Sequence, residues 1–271
     1  MNRVIRSVVT SVVPEEYLRD LYQRYTRRTF RSYVKPVDAE GVQFEFFVGD
    51  PTGKDWYDKG KYGFISKEML FIRDKLIKPG DVIFDCGAHH GFVAILFSKW
   101  TGAKGKVIAF EPVVRNREII KRNLELNAIQ NTILVEKALG SGSGEVSMSR
   151  SSNARVVDAS PRTNKCEMTN LDEYTDLNPD FILIDVEGYE VEVLKGAKRL
   201  LESMPKFVIE IHTNLLKDPS KDIAEIFSLI DLEKYRLWIQ WNTDEDPMEY
   251  DGNRAIKTPV HLFGVPRLAR S

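Results

Sequence analysis

From residue 80 onward, the chain alternates between two patterns of apolar positions. Short runs such as DVIFDC (81–86) and KVIAFE (106–111) are apolar at most positions and end at or near an acid. Such runs predict strands buried on both faces, as in a parallel sheet covered by helices. The segments between them repeat apolar residues every three or four positions, which predicts amphipathic helices. The predicted strands are 81–86, 106–111, 132–139, 181–188, 206–212, 236–241 and 260–266, and the predicted helices are 91–100, 116–127, 190–203 and 222–235.

This order of elements predicts an α/β fold: a doubly wound, seven-stranded, mostly parallel sheet with helices on both faces. The last two strands are joined without a helix, by the acidic loop NTDEDPMEYDGN (242–253). That connection predicts an antiparallel pair at one edge of the sheet. The stretch GSGSG (140–144) precedes no helix, so we predict a hairpin turn there.

The first part of the chain is less regular. Its pattern predicts a helix over 14–30, a strand over 42–49 and a helix over 66–77. We therefore predict two units, a small helix-and-strand appendage of residues 1–62 and a main domain of residues 63–271.

Composition narrows the class of protein. The 271 residues are 42% hydrophobic and 29% charged, with a net charge of −1, which is ordinary for a globular protein and gives no overall attraction to nucleic acid or membranes. The two cysteines are far apart, so we expect no disulfide framework. We find neither a run of about 18 apolar residues nor a secretory signal, and we expect a cytoplasmic protein.

Positive charge is concentrated at the start of the chain. Residues 1–36 contain eight lysines and arginines against three acids. Two interpretations stay open. The segment could form a patch for an anionic substrate, a lipid surface or nucleic acid, or it could be the solvated face of a helix.

The ends of the first two predicted strands indicate a cofactor. In sheets of this kind ligands bind beyond the carboxyl ends of the strands. The first strand leads through Asp85 into a loop between Gly87 and Gly91, which lacks the three-glycine pattern that a pyrophosphate requires. The second strand ends in Glu111, where a carboxylate can accept hydrogen bonds from ribose hydroxyls. A ribose-binding acid without a phosphate loop suits S-adenosylmethionine, which carries no phosphate and has a cationic end.

The same loop, FDCGAHHGF (84–92), contains two adjacent histidines, His89 and His90. A zinc site with Cys86 is one interpretation. Adjacent residues in a turn seldom converge on one ion, and the cysteine is expected inside the strand. We therefore favour a cofactor loop, in which His90 contacts the ligand.

Several runs together resemble the FkbM-type methyltransferases. They are FDCGAHHGF, VIAFEPVVRNREIIKRNLELN, KALGSGSGEVSM, TNLDEY, IDVEGYEVEVLKGA and FVIEIH. The resemblance covers about residues 63–266, and its most specific part is 184–197. It implies a class I, Rossmann-like methyltransferase that uses S-adenosylmethionine and methylates hydroxyl oxygens of sugars, polyketides and related natural products.

The resemblance also implies site residues. At His89 and His90 the family usually has an asparagine and a small or aliphatic residue, so this pair is a departure. The predicted cofactor-binding residues are Asp85, Gly87, Ala88, His90, Gly91, Glu111, Pro112, Glu136, Ala138 and Asp185.

Methylation of an alcohol requires removal of its proton. The candidates at strand carboxyl ends are Asp185, Glu187, Glu210 and His212. An ordinary histidine pKa of about 6.5 would suit His212 to the role of base. Asp185, Glu210 and His212 could also share a Mg²⁺ ion, but their spacing does not require one, and we predict no metal.

The leading prediction is O-methylation of a sugar, glycolipid or other small natural product. The alternatives are an RNA methyltransferase, supported only by the basic N-terminal segment, and a binding module for S-adenosylmethionine without catalysis. We expect a small-molecule or glycan acceptor and no nucleic-acid partner, and we leave a homodimer open.

Overall fold

The computed structural model describes residues 25–26, 28–58, 66–161 and 163–267. The helices are α1 (Pro51–Tyr57), α2 (Lys67–Phe71, continued by a wider turn over Ile72–Leu76), α3 (Phe92–Thr101), α4 (Val114–Leu126), α5 (Glu190–Lys195), α6 (Lys198–Glu202) and α7 (Pro219–Leu229). The strands are β1 (Tyr33–Ala39), β2 (Val42–Val48), β3 (Val82–Cys86), β4 (Lys106–Phe110), β5 (Thr132–Val135), β6 (Ala138–Leu139), β7 (Gly144–Met148), β8 (Asn164–Thr169), β9 (Phe181–Ile184), β10 (Lys206–Ile211), β11 (Tyr235–Gln240), β12 (Met248–Tyr250) and β13 (Val260–Pro266).

The central sheet confirms the predicted α/β fold. Its order is β5-β4-β3-β9-β10-β13-β11-β12. The first five strands are parallel, and β13 is inserted antiparallel between β10 and β11. The predicted antiparallel pair is therefore β11 with β13. The sheet has eight strands rather than seven, because part of the acidic loop forms the short edge strand β12.

Three local predictions need correction. The predicted strand over 132–139 is two strands, because β6 leaves the central sheet and pairs with β8. The stretch 140–144 joins β6 to β7 but closes no hairpin, since β8 lies between these two strands. The helix predicted over 190–203 is broken into α5 and α6 at Gly196, whose carbonyl accepts a hydrogen bond from the Asp172 N–H at 2.8 Å.

Alternating strand residues build one hydrophobic core on each face of the sheet. Ile83 and Val107 point to the face covered by α2 and α3. Phe84 and Ile108 point to the face covered by α5, α6 and α7. This explains why the strands are apolar at almost every position.

The hairpin of β1 and β2 belongs to the first of these cores. Phe44 and Phe46 each contact the Phe92 ring of α3, with ring centroids 5.3 Å apart. Asn123 of α4 accepts a hydrogen bond from the Phe47 N–H at 2.6 Å and donates one to the His90 carbonyl at 2.9 Å. The hairpin is thus joined to the loop that follows β3.

Some predictions fall outside the described residues. Most of the predicted helix over 14–30, most of the basic segment and the predicted unit boundary between residues 62 and 63 lie there. Within the described residues, no helix is both long enough and apolar enough to cross a membrane.

Candidate functional site

A cavity opens at the carboxyl ends of the parallel strands. The strand ends supply Gly87, Glu111, Asp185 and Glu187 to its wall. We predicted ligand binding at this edge of the sheet, because the carboxyl ends of parallel strands lie on one side.

The turn after β3 requires a glycine at its first position. Gly87 has a φ of +106°, and a Cβ atom there would lie 1.8 Å from the Asp185 carbonyl oxygen. The N–H groups of Gly87 and Ala88 both donate to the Phe110 carbonyl at 3.1 Å. The ends of β3, β4 and β9 are therefore held close together under the cavity.

Glu111 presents a fixed carboxyl group to the cavity. One carboxyl oxygen accepts a hydrogen bond from the His89 N–H at 2.9 Å, and the other accepts one from the Val113 N–H at 2.8 Å. Burial raises the pKa of Glu111 to about 8, although the hydrogen bonds act in the opposite direction. Each oxygen retains acceptor capacity toward a hydroxyl donor.

His89 and His90 form a stacked pair, with ring centroids 3.9 Å apart and planes 9° from parallel. Both Nε2 atoms lie within hydrogen-bond distance of the Ser152 hydroxyl, at 3.0 and 3.1 Å. The Nδ1 atom of His89 contacts the Tyr57 hydroxyl at 2.8 Å. The pair therefore connects the loop after β3 with α1 and with the segment that contains Ser152.

Both imidazoles are buried, and burial lowers their pKa values. The pKa of His90 falls to about 4, although the nearby Asp50 carboxylate opposes this. The pKa of His89 also lies well below 6.5, because of burial and then because of His90. The pair is thus neutral at physiological pH. His90 is fully buried and is absent from the cavity wall, whereas His89 contributes to that wall.

Carboxylates surround His212 at the end of β10. Its Nδ1 atom bonds to a Glu190 oxygen at 2.7 Å. Its Nε2 atom lies 3.3 Å from Glu210, 3.7 Å from Asp185 and 3.8 Å from Glu187. Three elements bring these residues together: Glu210 lies in β10, Glu190 begins α5, and Asp185 and Glu187 lie in the turn between β9 and α5.

A second imidazole extends this cluster away from the cavity. The Nε2 atom of His261 lies 3.3 Å from Glu210 and 3.6 Å from Glu68. Glu210 thus lies between His212 and His261, and it does not line the cavity.

The charges in the cluster shift the pKa values strongly. Burial alone would lower the pKa of His212, but hydrogen bonds to Glu190 and Glu210 raise it to about 11. Burial alone would also lower the pKa of His261, but Glu68 and Glu210 raise it to about 9. Burial and then repulsion by Glu210 raise the pKa of Asp185 well above its usual value. The prediction that His212 has an ordinary pKa is therefore wrong.

The structure separates the predicted cofactor residues into two groups. Gly87, Glu111, Pro112, Ala138 and Asp185 line the cavity, and Asp85, Ala88, His90, Gly91 and Glu136 do not. Ala88 and Gly91 shape the loop through their backbone, since the Gly91 N–H donates to the Ala88 carbonyl at 2.7 Å.

Two of the acids outside the wall have other surroundings. Asp85 is buried in β3, and one of its oxygens has no hydrogen-bond partner. Burial raises its pKa to about 7. Glu136 is at the surface, where it pairs with Arg117 at 2.9 Å and Lys121 at 2.5 Å.

The structure disfavours the zinc interpretation. Cys86 is completely buried in the sheet core, and burial raises the pKa of its thiol. Within the described ranges, the only set of three or more histidines, cysteines and acids with ligand-like spacing is Asp185, Glu187 and His212. Glu210, which the sequence grouped with a metal, is not in this set.

Sequence reasoning missed the walls that come from outside the strand ends. Trp56 of α1 faces the cavity and lies 4.9 Å from the His89 ring, measured between centroids. Ser152 to Ala154 and Tyr189 line the cavity as well. The Ser152 segment shows no recognisable pattern, and only the aromatic pair Trp56–Tyr57 gave a signal that could have been used.

Comparisons with known proteins agree with the fold. A sequence profile of the Methyltransferase FkbM domain matches residues 85–237. The hexuronic acid methyltransferase AglP of Haloferax volcanii is 30% identical over 155 residues, which are 55% of this chain and 62% of that relative. The crystal structure of the methyltransferase FkbM from Methylobacillus flagellatus KT superposes with a TM-score of 0.52 at 20% identity, covering 74% of this chain and 48% of that one.

Proposed function

This chain belongs to the FkbM methyltransferase family, and from that premise we propose that it methylates a hydroxyl oxygen of a sugar with S-adenosylmethionine as donor. A hexuronic acid is the proposed acceptor, by similarity to the relative from Haloferax volcanii. The observation that carries the proposal is one cavity with Glu111 on one wall and Asp185 and Glu187 on another.

The cavity fits the cofactor by its chemistry. Glu111 is buried and fixed by two N–H groups, so its oxygens can accept the two hydroxyls of a ribose without reorganising. Pro112 and Ala138 supply an apolar wall beside it for a base. Asp185 offers a carboxyl group to a cationic end. When bound, S-adenosylmethionine supplies an activated methyl group on a positively charged sulfur.

Asp185 is the residue that we assign to the acceptor proton. It lies in the cavity wall, and its Oδ1 atom is buried without a hydrogen-bond partner. Glu187 lies beside it and can accept a second acceptor hydroxyl. His212 and Glu210 do not line the cavity, and we assign them to positioning these acids.

The wall from α1 is proposed to be the acceptor side. Trp56 gives it a flat apolar surface that suits a sugar ring. The His89–His90 pair holds this helix and the Ser152 segment against the cofactor loop. We propose that α1 caps the acceptor side of the cavity.

Calorimetry with S-adenosylmethionine tests the first part of the proposal. Wild-type protein should bind the cofactor, and Glu111→Gln should weaken binding by about tenfold or more, because an amide nitrogen, which cannot accept a hydrogen bond, replaces one of the two carboxyl oxygens. Glu118→Gln, an exposed acid of α4, is the matched control. Equal binding by Glu111→Gln and wild type would refute the ribose assignment.

A methylation screen tests the acceptor. Labelled S-adenosylmethionine is offered with glucuronides, neutral glycosides, glycolipids and RNA. Label in the glucuronides, lost in Asp185→Asn, is expected. Label only in RNA would replace the proposal by the nucleic-acid alternative, and cofactor binding without label in any acceptor would favour the non-catalytic alternative.

A further inference from the structure

We propose that Glu190 is a positioning residue for the cavity, because its carboxylate links the turn that contains Asp185 and Glu187 to the His212 side chain at the end of β10. The roles of Asp185 and Glu187 rest on the proposed function, and the link itself rests on the geometry of Glu190. Glu190 does not line the cavity, so it acts only through the residues that it holds.

One oxygen atom of Glu190 bonds to both strand ends. Its Oε1 atom accepts a hydrogen bond from the Gly188 N–H at 2.9 Å and bonds to the His212 Nδ1 atom at 2.7 Å. Gly188 belongs to the turn after β9, and His212 follows β10. Because β9 and β10 are neighbouring parallel strands, this oxygen fixes the separation of their carboxyl ends beside the cavity.

The turn that Glu190 holds has an unusual backbone. Glu187 has a φ of +54° and Gly188 has a φ of +90°, so two successive residues adopt left-handed conformations. Side chains other than glycine rarely adopt such a φ, and the surrounding contacts must keep the backbone there. Glu190 supplies one of these contacts, because it accepts the N–H of the second residue. Without it, we expect the Asp185 and Glu187 side chains to shift in the cavity wall.

The same carboxylate orients the His212 ring. Glu190 bonds to the Nδ1 atom, and Glu210 lies 3.3 Å from the Nε2 atom, so both ring nitrogens are engaged. In this orientation the Nε2 atom lies 3.7 Å from Asp185 Oδ1 and 3.8 Å from Glu187 Oε2. These separations are too long for hydrogen bonds, but they are short enough for the charge of the ring to act on both acids.

The charge of His212 depends on this arrangement. Burial alone would lower its pKa, but the hydrogen bonds to Glu190 and then to Glu210 raise it to about 11. The groups that face the ring are Glu190 from α5, Glu210 from β10, and Asp185 and Glu187 from the turn. Burial and then Glu210 raise the pKa of Asp185, and the His212 imidazolium opposes them. An ionised Asp185 is the form that can accept a proton.

Stability of the fold is a poor explanation for an acid at this position. Glu190 is completely buried, and its Oε2 atom has no hydrogen-bond partner among the described residues. A buried ion pair costs desolvation free energy, and well-packed apolar residues in its place are often as stable. A buried carboxylate that is satisfied at one oxygen only, next to a cavity, is better explained by a role in the site.

Proton NMR of the full chain tests the link without any acceptor. The His212 ring signal is identified by its absence in His212→Gln. In wild type the ring should stay protonated at about pH 9, and Glu190→Gln should lower the midpoint of its titration by about 1–3 pH units, because an opposite charge is removed. Glu192→Gln is the matched control, since Glu192 is a partly exposed acid of the same helix that pairs with Lys195, and it should leave the titration unchanged.

Kinetics with a glucuronide acceptor test the positioning. Glu190→Ala removes both bonds and should lower kcat by about tenfold or more, while the KM for S-adenosylmethionine stays within about twofold, because Glu111 lies on another wall. Glu190→Gln keeps an oxygen that can accept the Gly188 N–H, so it should retain more of kcat than Glu190→Ala does. Glu192→Gln should have the kcat of wild type.

A His212 ring that titrates near pH 6.5 in wild type, a titration that is unchanged in Glu190→Gln, or a wild-type kcat in Glu190→Ala would overturn the proposal. The first result is obtained on wild-type protein, so it does not depend on the folding of any variant. The two proposals fail separately. The expected titrations without methylation of any sugar remove the proposed function alone, and methylation of a sugar with an unchanged titration in Glu190→Gln removes the role of Glu190 alone.

Discussion

The four histidines of the chain form two pairs beside the same cavity, and the pairs have opposite electrostatic states. His89 and His90 stack on each other, and burial holds their pKa values below the usual range. His212 and His261 are also buried, yet carboxylates raise their pKa values to about 11 and 9. The residue type therefore says little about charge, because the number of carboxylates within hydrogen-bond reach decides it.

The two histidine pairs therefore have different roles in the structure. The neutral pair shares the Ser152 hydroxyl, so it joins segments of the fold and contributes no charge to the cavity. The charged pair offsets part of the negative charge of the acids around it. We expect that acid will weaken the contacts of His89 and His90, and that loss of an imidazole will destabilise the acids around His212 and His261. The following predictions test this, from the largest expected effect to the smallest.

Replacing His212 by glutamine should have the largest effect on stability. Glu190 is completely buried and is bonded to His212 at 2.7 Å. Removing one partner of a buried ion pair leaves an uncompensated charge and costs about 3–5 kcal/mol. Urea unfolding at pH 7 measures the loss. A change below about 1 kcal/mol would contradict the assignment of a charged imidazole.

Acidification should remove the stability that the other pair contributes. The pKa of His90 is about 4 in the folded protein and about 6.5 in the unfolded chain, so the unfolded state binds more protons between these values. The contribution of this pair to stability should therefore be full above pH 6.5 and fall as the pH drops toward 4, by at most about 1.4 kcal/mol per pH unit for each histidine. The raised pKa values of Asp85 and Glu111 act in the opposite direction over the same range, so the histidine contribution is read from a variant.

The groups that face His90 are Asp50 at 3.8 Å, Ser152, Asn116 and the His89 ring, with Arg115 acting at longer range. His90→Gln removes its titration, so the difference in unfolding free energy between wild type and His90→Gln should shrink as the pH falls from 6.5 to 4, as measured by urea unfolding at several pH values. An unchanged slope in His90→Gln would show that other groups cause the acid sensitivity.

Ser152→Ala should lower the free energy of unfolding by about 1–3 kcal/mol, less than His212→Gln, because it leaves buried imidazole nitrogens without their shared hydrogen-bond partner. The Ser152 hydroxyl lies 3.0 and 3.1 Å from the two Nε2 atoms and 3.1 Å from the Asn116 side-chain oxygen. Ser228→Ala, in which an exposed hydroxyl of α7 is removed, is the control and should stay within about 0.5 kcal/mol of wild type. Thermal unfolding that is equal in both variants would contradict the connecting role.

The sequence was sufficient for the parallel strands of the central sheet and for the site residues at their carboxyl ends. Runs that are apolar on both faces have few other interpretations, and parallel strands place their carboxyl ends together, so Gly87, Glu111 and Asp185 could be located in advance. The walls from Trp56 and Ser152 could not, because they depend on how distant segments fold back over the cavity. The charge of His212 could not be predicted either, because it depends on Glu190 of α5 and Glu210 of β10, which come close to His212 only in the folded chain.

The smallest predicted effect concerns the far end of the charged pair. Burial opposes the protonation of His261, and Glu68 makes the largest contribution in favour of it. Glu68→Gln removes a negative charge 3.6 Å from the His261 Nε2 atom, so the imidazolium loses part of its stabilisation and the pKa of His261 should fall below about 9. Titration of the His261 ring proton by NMR measures the change, with Glu249→Gln as control. A pKa that stays at its wild-type value would mean that Glu210 alone holds the proton, because that acid contacts both His212 and His261.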